Sequence, residues 1–158
     1  MRKPSGADPR KRKGLIIVHT GEGKGKSTAA FGLAMRAAGN KMNVFILQFM
    51  KGQWKAGERK SIDNLAPYIE IVPMGDGFTW DTENIEQDKA TARKAFEIVK
   101  EKLNSGKYHM VIFEEINYVL HYKFLPEDEV LEVIKNKPEM THVVCTGRNA
   151  SEKLIEMA

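Results

Sequence analysis

Apolar residues fall along this chain in short blocks, separated by turn-rich stretches and by stretches of longer period. Leu15-Ile16-Ile17-Val18, Val44-Phe45-Ile46-Leu47, Ile69-Glu70-Ile71-Val72, Met110-Val111-Ile112-Phe113 and His142-Val143-Val144-Cys145 are compact runs dominated by β-branched and large apolar side chains. Runs of this length predict buried strands, the third of them stopped by Pro73. Between them the spacing becomes helical. Residues 27–38 predict a helix that Gly39-Asn40 ends. Within 84–103, Ala92, Ala95, Phe96, Val99 and Leu103 recur on one helical face. Residues 126–135 predict another helix with Pro126 in its first turn, and 151–157 begin a last one. This alternation predicts an α/β fold, a mostly parallel sheet of about five strands with helices on both faces. There is no internal repeat and no linker, so 14–158 is expected to form a single domain.

Composition narrows the picture only slightly. The chain has 158 residues, of which 42% are hydrophobic and 29% charged, an ordinary globular balance with length enough for one core. No apolar run approaches a membrane span, and the charged N-terminus has no signal-like apolar stretch. With Cys145 as the single cysteine, no internal disulfide can form. These features together predict a cytoplasmic protein with no membrane partner. The formal charge of +4 is misleading as a sign of nucleic-acid binding. Of 25 basic and 21 acidic residues, six basic (Arg2, Lys3, Arg10, Lys11, Arg12, Lys13) and one acidic (Asp8) belong to 1–13, which leaves 19 and 20 elsewhere. The body is near neutral and no nucleic-acid partner is expected. Residues 1–13 read as a basic, disordered tail.

The chemistry concentrates after the first strand. Gly21-Glu22-Gly23-Lys24-Gly25-Lys26-Ser27-Thr28 lies between a predicted strand and a predicted helix, the context in which a glycine-rich loop binds phosphates. Glycines permit positive φ, so successive backbone N–H groups can converge on phosphate oxygens, and the helix N-terminus adds its dipole. Lys26 supplies a charge for a terminal phosphate and Ser27 a hydroxyl for Mg²⁺. The general G-x-x-x-x-G-K-[ST] pattern would need glycine at position 20, which is Thr20, so the loop is one residue short. The fourth strand ends in Glu114-Glu115, the form of a Walker B acid pair. No Ser-His-Asp or Cys-His set is evident. The four histidines, His19, His109, His121 and His142, lack metal-ligand spacing and read as structural, and Cys145 reads as inert core.

Further segments resemble one family, the P-loop type of cob(I)alamin adenosyltransferase, the corrinoid adenosyltransferases. Residues Thr20-Gly21-Glu22-Gly23-Lys24-Gly25-Lys26-Ser27-Thr28-Ala29-Ala30-Phe31-Gly32 are similar to its signature loop and first helix. Gln48-Phe49-Met50-Lys51-Gly52-Gln53-Trp54 with Gly57-Glu58-Arg59 resembles the stretch after its second strand. Gly77-Phe78-Thr79-Trp80-Asp81-Thr82 resembles its aromatic loop, Glu114-Glu115-Ile116-Asn117-Tyr118 its acidic strand end, and Thr146-Gly147-Arg148 a later turn. The resemblance spans roughly residues 14–158, and its most specific parts are the aromatic loop and the Gln48–Trp54 stretch.

The resemblance implies a P-loop NTPase-like, RecA-like fold. It also implies transfer of the 5′-deoxyadenosyl group of ATP to the Co(I) of a corrinoid, cobalamin or a precursor, with release of triphosphate. Lys26, the loop N–H groups and Mg²⁺ on Ser27 and Glu115 would neutralise the leaving triphosphate. Glu114 stands where the family usually has Asp, and its extra methylene alters how Mg²⁺ or its waters are held. Arg36 and Arg148 match positions near the nucleotide. Phe78 and Trp80 match residues that press on the lower corrin face and strip its axial ligand, easing reduction to Co(I). Gln48, Lys51 and Trp54 complete the implied corrinoid contacts. A flavoprotein electron donor and a homodimer are implied as well. Family members usually continue past this chain's Ala158 through another strand and a tail, so either a smaller sheet with a more open corrinoid pocket or a shortened chain is expected here. A P-loop ATPase or kinase, or a non-catalytic relative, is the competing reading.

Overall fold

The computed structural model describes residues 12–50, 57–64, 67–77 and 84–158. The expectations for the tail (1–11), for Lys51 and Trp54, and for Phe78 and Trp80 lie outside these residues.

The predicted runs become five strands: β1 (Ile16–His19), β2 (Val44–Gln48), β3 (Ile69–Pro73), β4 (Met110–Glu114) and β5 (His142–Thr146). Helices α1 (Lys26–Gly39), α2 (Gly57–Asp63), α3 (Ile85–Asn104), α4 (Ile116–His121), α5 (Glu127–Lys135) and α6 (Glu152–Met157) follow in chain order as β1, α1, β2, α2, β3, α3, β4, α4, α5, β5, α6. All pairings are parallel, in the order β1-β5-β4-β2-β3. The α/β expectation holds. β5 therefore lies between the strand carrying the phosphate loop and the strand carrying the acid pair.

Strand alternation divides the core into two layers. Phe45 and Leu47 of β2, Val111 and Phe113 of β4, and Val143 and Cys145 of β5 pack with α3, α4 and α5 through Ala92, Phe96, Val99, Ile116, Val119 and Ile134. Val44, Ile46, Ile112 and Val144 turn the other way, onto Ala30, Phe31, Ala34, Ala37 and Ala38 of α1 and Ile62 of α2. The alanine face of α1 brings that helix close to the sheet. Full burial of each large aliphatic or aromatic side chain contributes roughly 1.5–3 kcal/mol.

The element ends differ from the sequence expectation for local reasons. Leu15 is half exposed and its N–H goes to the His142 ring, so β1 begins at Ile16. Pro73 belongs to β3, because an edge strand does not need every N–H in the ladder. Pro126 and Ser151 cap α5 and α6 from outside, and the Ser151 hydroxyl accepts from the Leu154 N–H. α2 and α4 have no counterpart in the periodicity reading; with seven and six residues, they are too short to display it.

Candidate active site

Parallel strands bring their carboxyl ends to one edge, where the connecting loops can converge. Register aligns that edge. His19 sits opposite Thr146, Phe113 opposite Cys145, and Glu114 opposite Gln48. The phosphate loop leaves β1 at this edge. Gly21 (φ 118°) and Gly25 (φ 105°) both take the left-handed backbone that the loop requires. Gly25 precedes α1 without any side-chain cap, which leaves first-turn N–H groups directed at the loop. The Lys26 ammonium donates to the carbonyls of Gly21 and Gly23 at 2.7 and 2.5 Å.

Ser27 reaches across to the sheet. Its Oγ donates to Glu114 Oε1 at 2.7 Å, and Gln48 Nε2 donates to Glu114 Oε2 at 3.4 Å. Glu114 is fully buried, so its carboxylate is held between loop and neighbouring strand. Gln48 is thus placed on Glu114. The backbone turns sharply at the next residue: Glu115 has φ 65°, unusual without glycine, and its N–H donates to Thr146 Oγ1 at 2.9 Å. The turn sends the two adjacent carboxylates different ways, Glu114 to Ser27 and Glu115 to the wall of a cavity of about 500 Å³ around the loop.

The turn after β5 closes the other side. Gly147 N–H donates to the His19 carbonyl and Ala150 N–H to Thr20 Oγ1, at 3.2 and 3.1 Å. A Cβ at Gly147, where φ is 129°, would stand 2.9 Å from the Asn117 Cβ and 3.2 Å from Glu115 Oε2. Glycine is required for this approach, which sets Arg148 at the loop. Arg148 Nε lies 3.8 Å from Glu22 Oε2, and both side chains are largely exposed. Glu22, Gly23, Lys24, Gly25, Lys26, Ser27, Thr28, Glu115 and Arg148 all line the same cavity. Arg36 does not; it lies exposed in the last turn of α1.

Three lining residues were missed by the sequence reading: His121, Tyr122 and Asn149. Tyr118 and Tyr122 are four apart, a spacing that puts them on one helical face, and this was the signal available. Their rings lie 4.4 Å apart at the cavity wall. Burial pushes the Tyr118 hydroxyl above its ordinary pKa, and neighbouring Tyr122 adds to the shift. A second cavity of about 880 Å³ adjoins the first, and His121 and Asn149 line both. Leu120, Phe124 and Leu125 give it apolar walls, with Lys89 and Arg93 of α3 on its polar side.

His109, His142 and Cys145 sit among structural contacts, whereas His121, expected to be structural, lines both cavities. His109 Nδ1 accepts the Asn43 N–H, and His142 Nδ1 accepts the Leu15 N–H. Burial pushes the Cys145 thiol up to about 12, so it has no thiolate to offer near neutral pH.

Residues 12–158 match the model of the family described as ATP:corrinoid adenosyltransferase BtuR/CobO/CobP. A corrinoid adenosyltransferase of a Sinorhizobium species is 46% identical over 148 residues, covering 92% of this chain and 69% of its own length. That of Escherichia coli strain K12 is 40% identical over 153 residues, 96% of this chain and 76% of its own. Among solved structures, the flagellar accessory protein FlaH of Methanocaldococcus jannaschii shares the fold, with a TM-score of 0.54 at 13% identity. It covers 90% of this chain, which spans 65% of that longer one. A phosphate loop joined to a buried strand-end acid, and a family match over nearly the whole length, place the chain in the ATP:corrinoid adenosyltransferase family.

Proposed function

We propose that this chain grips the whole triphosphate of ATP at residues 21–27 and releases it intact when Co(I) takes the 5′-deoxyadenosyl group. The observation that carries this reading is the pair of adjoining cavities. One is walled by the phosphate loop, and the other is larger and apolar-walled, with His121 and Asn149 on their common boundary. A reaction between a nucleotide and a bulky second substrate needs two such spaces meeting at the reacting atoms. The cobalt electron pair attacks C5′, the C5′–O bond breaks, and its electrons leave on the triphosphate oxygen. Because cobalt is the nucleophile, the protein's work is to align the partners and stabilise the leaving charge. Lys26, the loop N–H groups and Arg148, which line the phosphate-loop cavity, would serve the second task.

An oxygen-ligated divalent ion fits this donor set. Ser27 Oγ and the Glu114 carboxylate already meet, and Glu115 faces the same cavity. Among the described residues no cluster of three candidate metal-ligating side chains occurs. Mg²⁺ suits that arrangement because it takes one or two protein oxygens and completes its shell with water and phosphates. When bound, it would add positive charge against the triphosphate.

The larger cavity lies beside the N-terminus of α3, directly after residues 78–83 in the chain. Family resemblance supports Phe78 and Trp80 as the pair that excludes an axial cobalt ligand, with Lys51 and Trp54 as further corrinoid contacts. Gln48, a further corrinoid contact on the same resemblance, donates to Glu114 and would steady that carboxylate at the ion site. Arg36 is assigned to the nucleotide on resemblance alone. The flavoprotein donor and homodimer rest on the same resemblance, and the cytoplasmic setting on composition; among the described residues no helix is long and apolar enough to cross a membrane.

Incubation with ATP, Mg²⁺ and chemically reduced cobalamin tests the reading. The expected products are inorganic triphosphate and a cobalt–carbon bond in equal amounts. ADP and phosphate without that bond would show an ATPase or kinase instead, and binding without product a non-catalytic relative.

A further inference from the structure

The phosphate-loop cavity has an aromatic wall that the triphosphate grip does not use. We propose that Tyr122, buttressed by Tyr118, His121 and Phe124, is the stacking platform for the adenine of ATP. This inference rests on the preceding reading of the cavity as a triphosphate site.

Four observations support it. Tyr122 is 53% exposed although it lies in a cavity wall, and among the described residues it is the one phenylalanine, tyrosine or tryptophan ring so open. A ring left in water beside an anion-binding loop forgoes burial that a flat apolar ligand would restore. The ring is also held on several sides. Tyr118 lies 4.4 Å away at 40°, His121 meets it edge-on at 5.0 Å and 90°, and Phe124 is near parallel at 6.0 Å and 25°. A side chain fixed in this way loses little conformational entropy when a base settles on it. The C-cap of α4 adds rigidity, because the Tyr122 N–H donates to the Tyr118 carbonyl and the Lys123 N–H to Leu120. Finally, the phosphate loop and Arg148 share that cavity with Tyr118 and Tyr122, so a triphosphate and a base could be held together.

The placement has a consequence for the reaction. The cavity boundary shared with the larger space is formed by His121, the residue next to Tyr122. A base held on Tyr122 and a triphosphate held at Lys26 fix both ends of the nucleotide. The ribose and its 5′ carbon are then confined between them, beside that boundary. Tyr122 acts here as a positioning residue.

Calorimetric titration with ATP and with inorganic tripolyphosphate tests this, because tripolyphosphate carries the charges but no base. In Tyr122→Ala, ATP affinity is expected to fall about tenfold or more, the usual scale for a lost base–aromatic stack. Tripolyphosphate affinity should change less than about twofold, and Tyr122→Phe should restore ATP binding because stacking needs the ring alone. Equal weakening of both ligands in Tyr122→Ala would show a general disturbance of the loop and overturn the proposal. Unchanged ATP affinity would overturn it as well, and weaker binding of Co(II) corrinoid in that case would assign the ring to the other substrate. Failure of the unsubstituted protein to bind either ATP or tripolyphosphate would overturn the triphosphate reading, and the platform with it.

Discussion

Lys26 is tied to its own loop through the carbonyls of Gly21 and Gly23, both exposed. Few packing contacts depend on its ammonium, so Lys26→Ala should fold normally while losing the charge proposed to meet the leaving triphosphate. Removing one such preorganised group typically lowers kcat by about 100-fold or more. The rate of cobalt–carbon bond formation with saturating ATP and reduced corrinoid is the measurement; a near-normal rate would remove Lys26 from its role. The glycines and Lys26 could be read from the sequence because each is demanded by backbone geometry or charge. The division of labour between Glu114 and Glu115 could not. It depends on Glu115 adopting left-handed backbone, which no residue pattern signals, and that turn determines which carboxylate meets Ser27.

Among the elements, β5 and the chain entering β1 are joined by a side chain as well as by their ladder. His142 Nδ1 accepts the Leu15 N–H at 3.1 Å, which requires an unprotonated Nδ1. Burial holds the ring below its usual pKa, and Lys137 and His109 push the same way. The fold therefore favours the neutral imidazole. The stability this contributes is complete above the unfolded-state value of about 6.5 and is lost as pH falls through the lower folded-state value. His142→Asn keeps an acceptor there but cannot titrate. Its melting temperature should decline less steeply than that of the unsubstituted protein between about pH 7 and 5. Parallel declines would show that His142 does not contribute to the acid sensitivity. At this scale the strands and long helices were legible because each carries several periods of its pattern. α4 was not, because its six residues are fixed by their position between β4 and Pro126 and by Ile116, Asn117 and Val119 packing inward.

For the molecule as a whole, strand–helix alternation was sufficient to imply a parallel sheet, since only crossovers can join such strands. Strand order was beyond it. The insertion of β5 between β1 and β4 is a tertiary choice, and it spaces the loop from the acid so that Ser27 can span to Glu114. The two adjoining cavities were equally hidden, because their shared boundary comes from α4 and the turn after β5, which meet only in the fold.

That order leaves β1 with β5 as its sole strand neighbour among the described residues. The loop proposed to grip the triphosphate thus hangs from a four-residue strand with one strand neighbour among the described residues. Opening of such a segment lies toward the low end of a protein's free-energy range. Amide hydrogens of Ile17 and Val18 should exchange with solvent faster than those of β4, which is flanked on both sides. A ligand that binds only the closed loop deepens the closed state in proportion to its saturation. ATP with Mg²⁺ should therefore slow exchange in β1 much more than in β4, as read by hydrogen–deuterium exchange mass spectrometry; equal slowing in both would show that the strand and its loop do not open independently. On this account the edge strand records occupancy: substrate completes the protection that the sheet itself supplies on only one side.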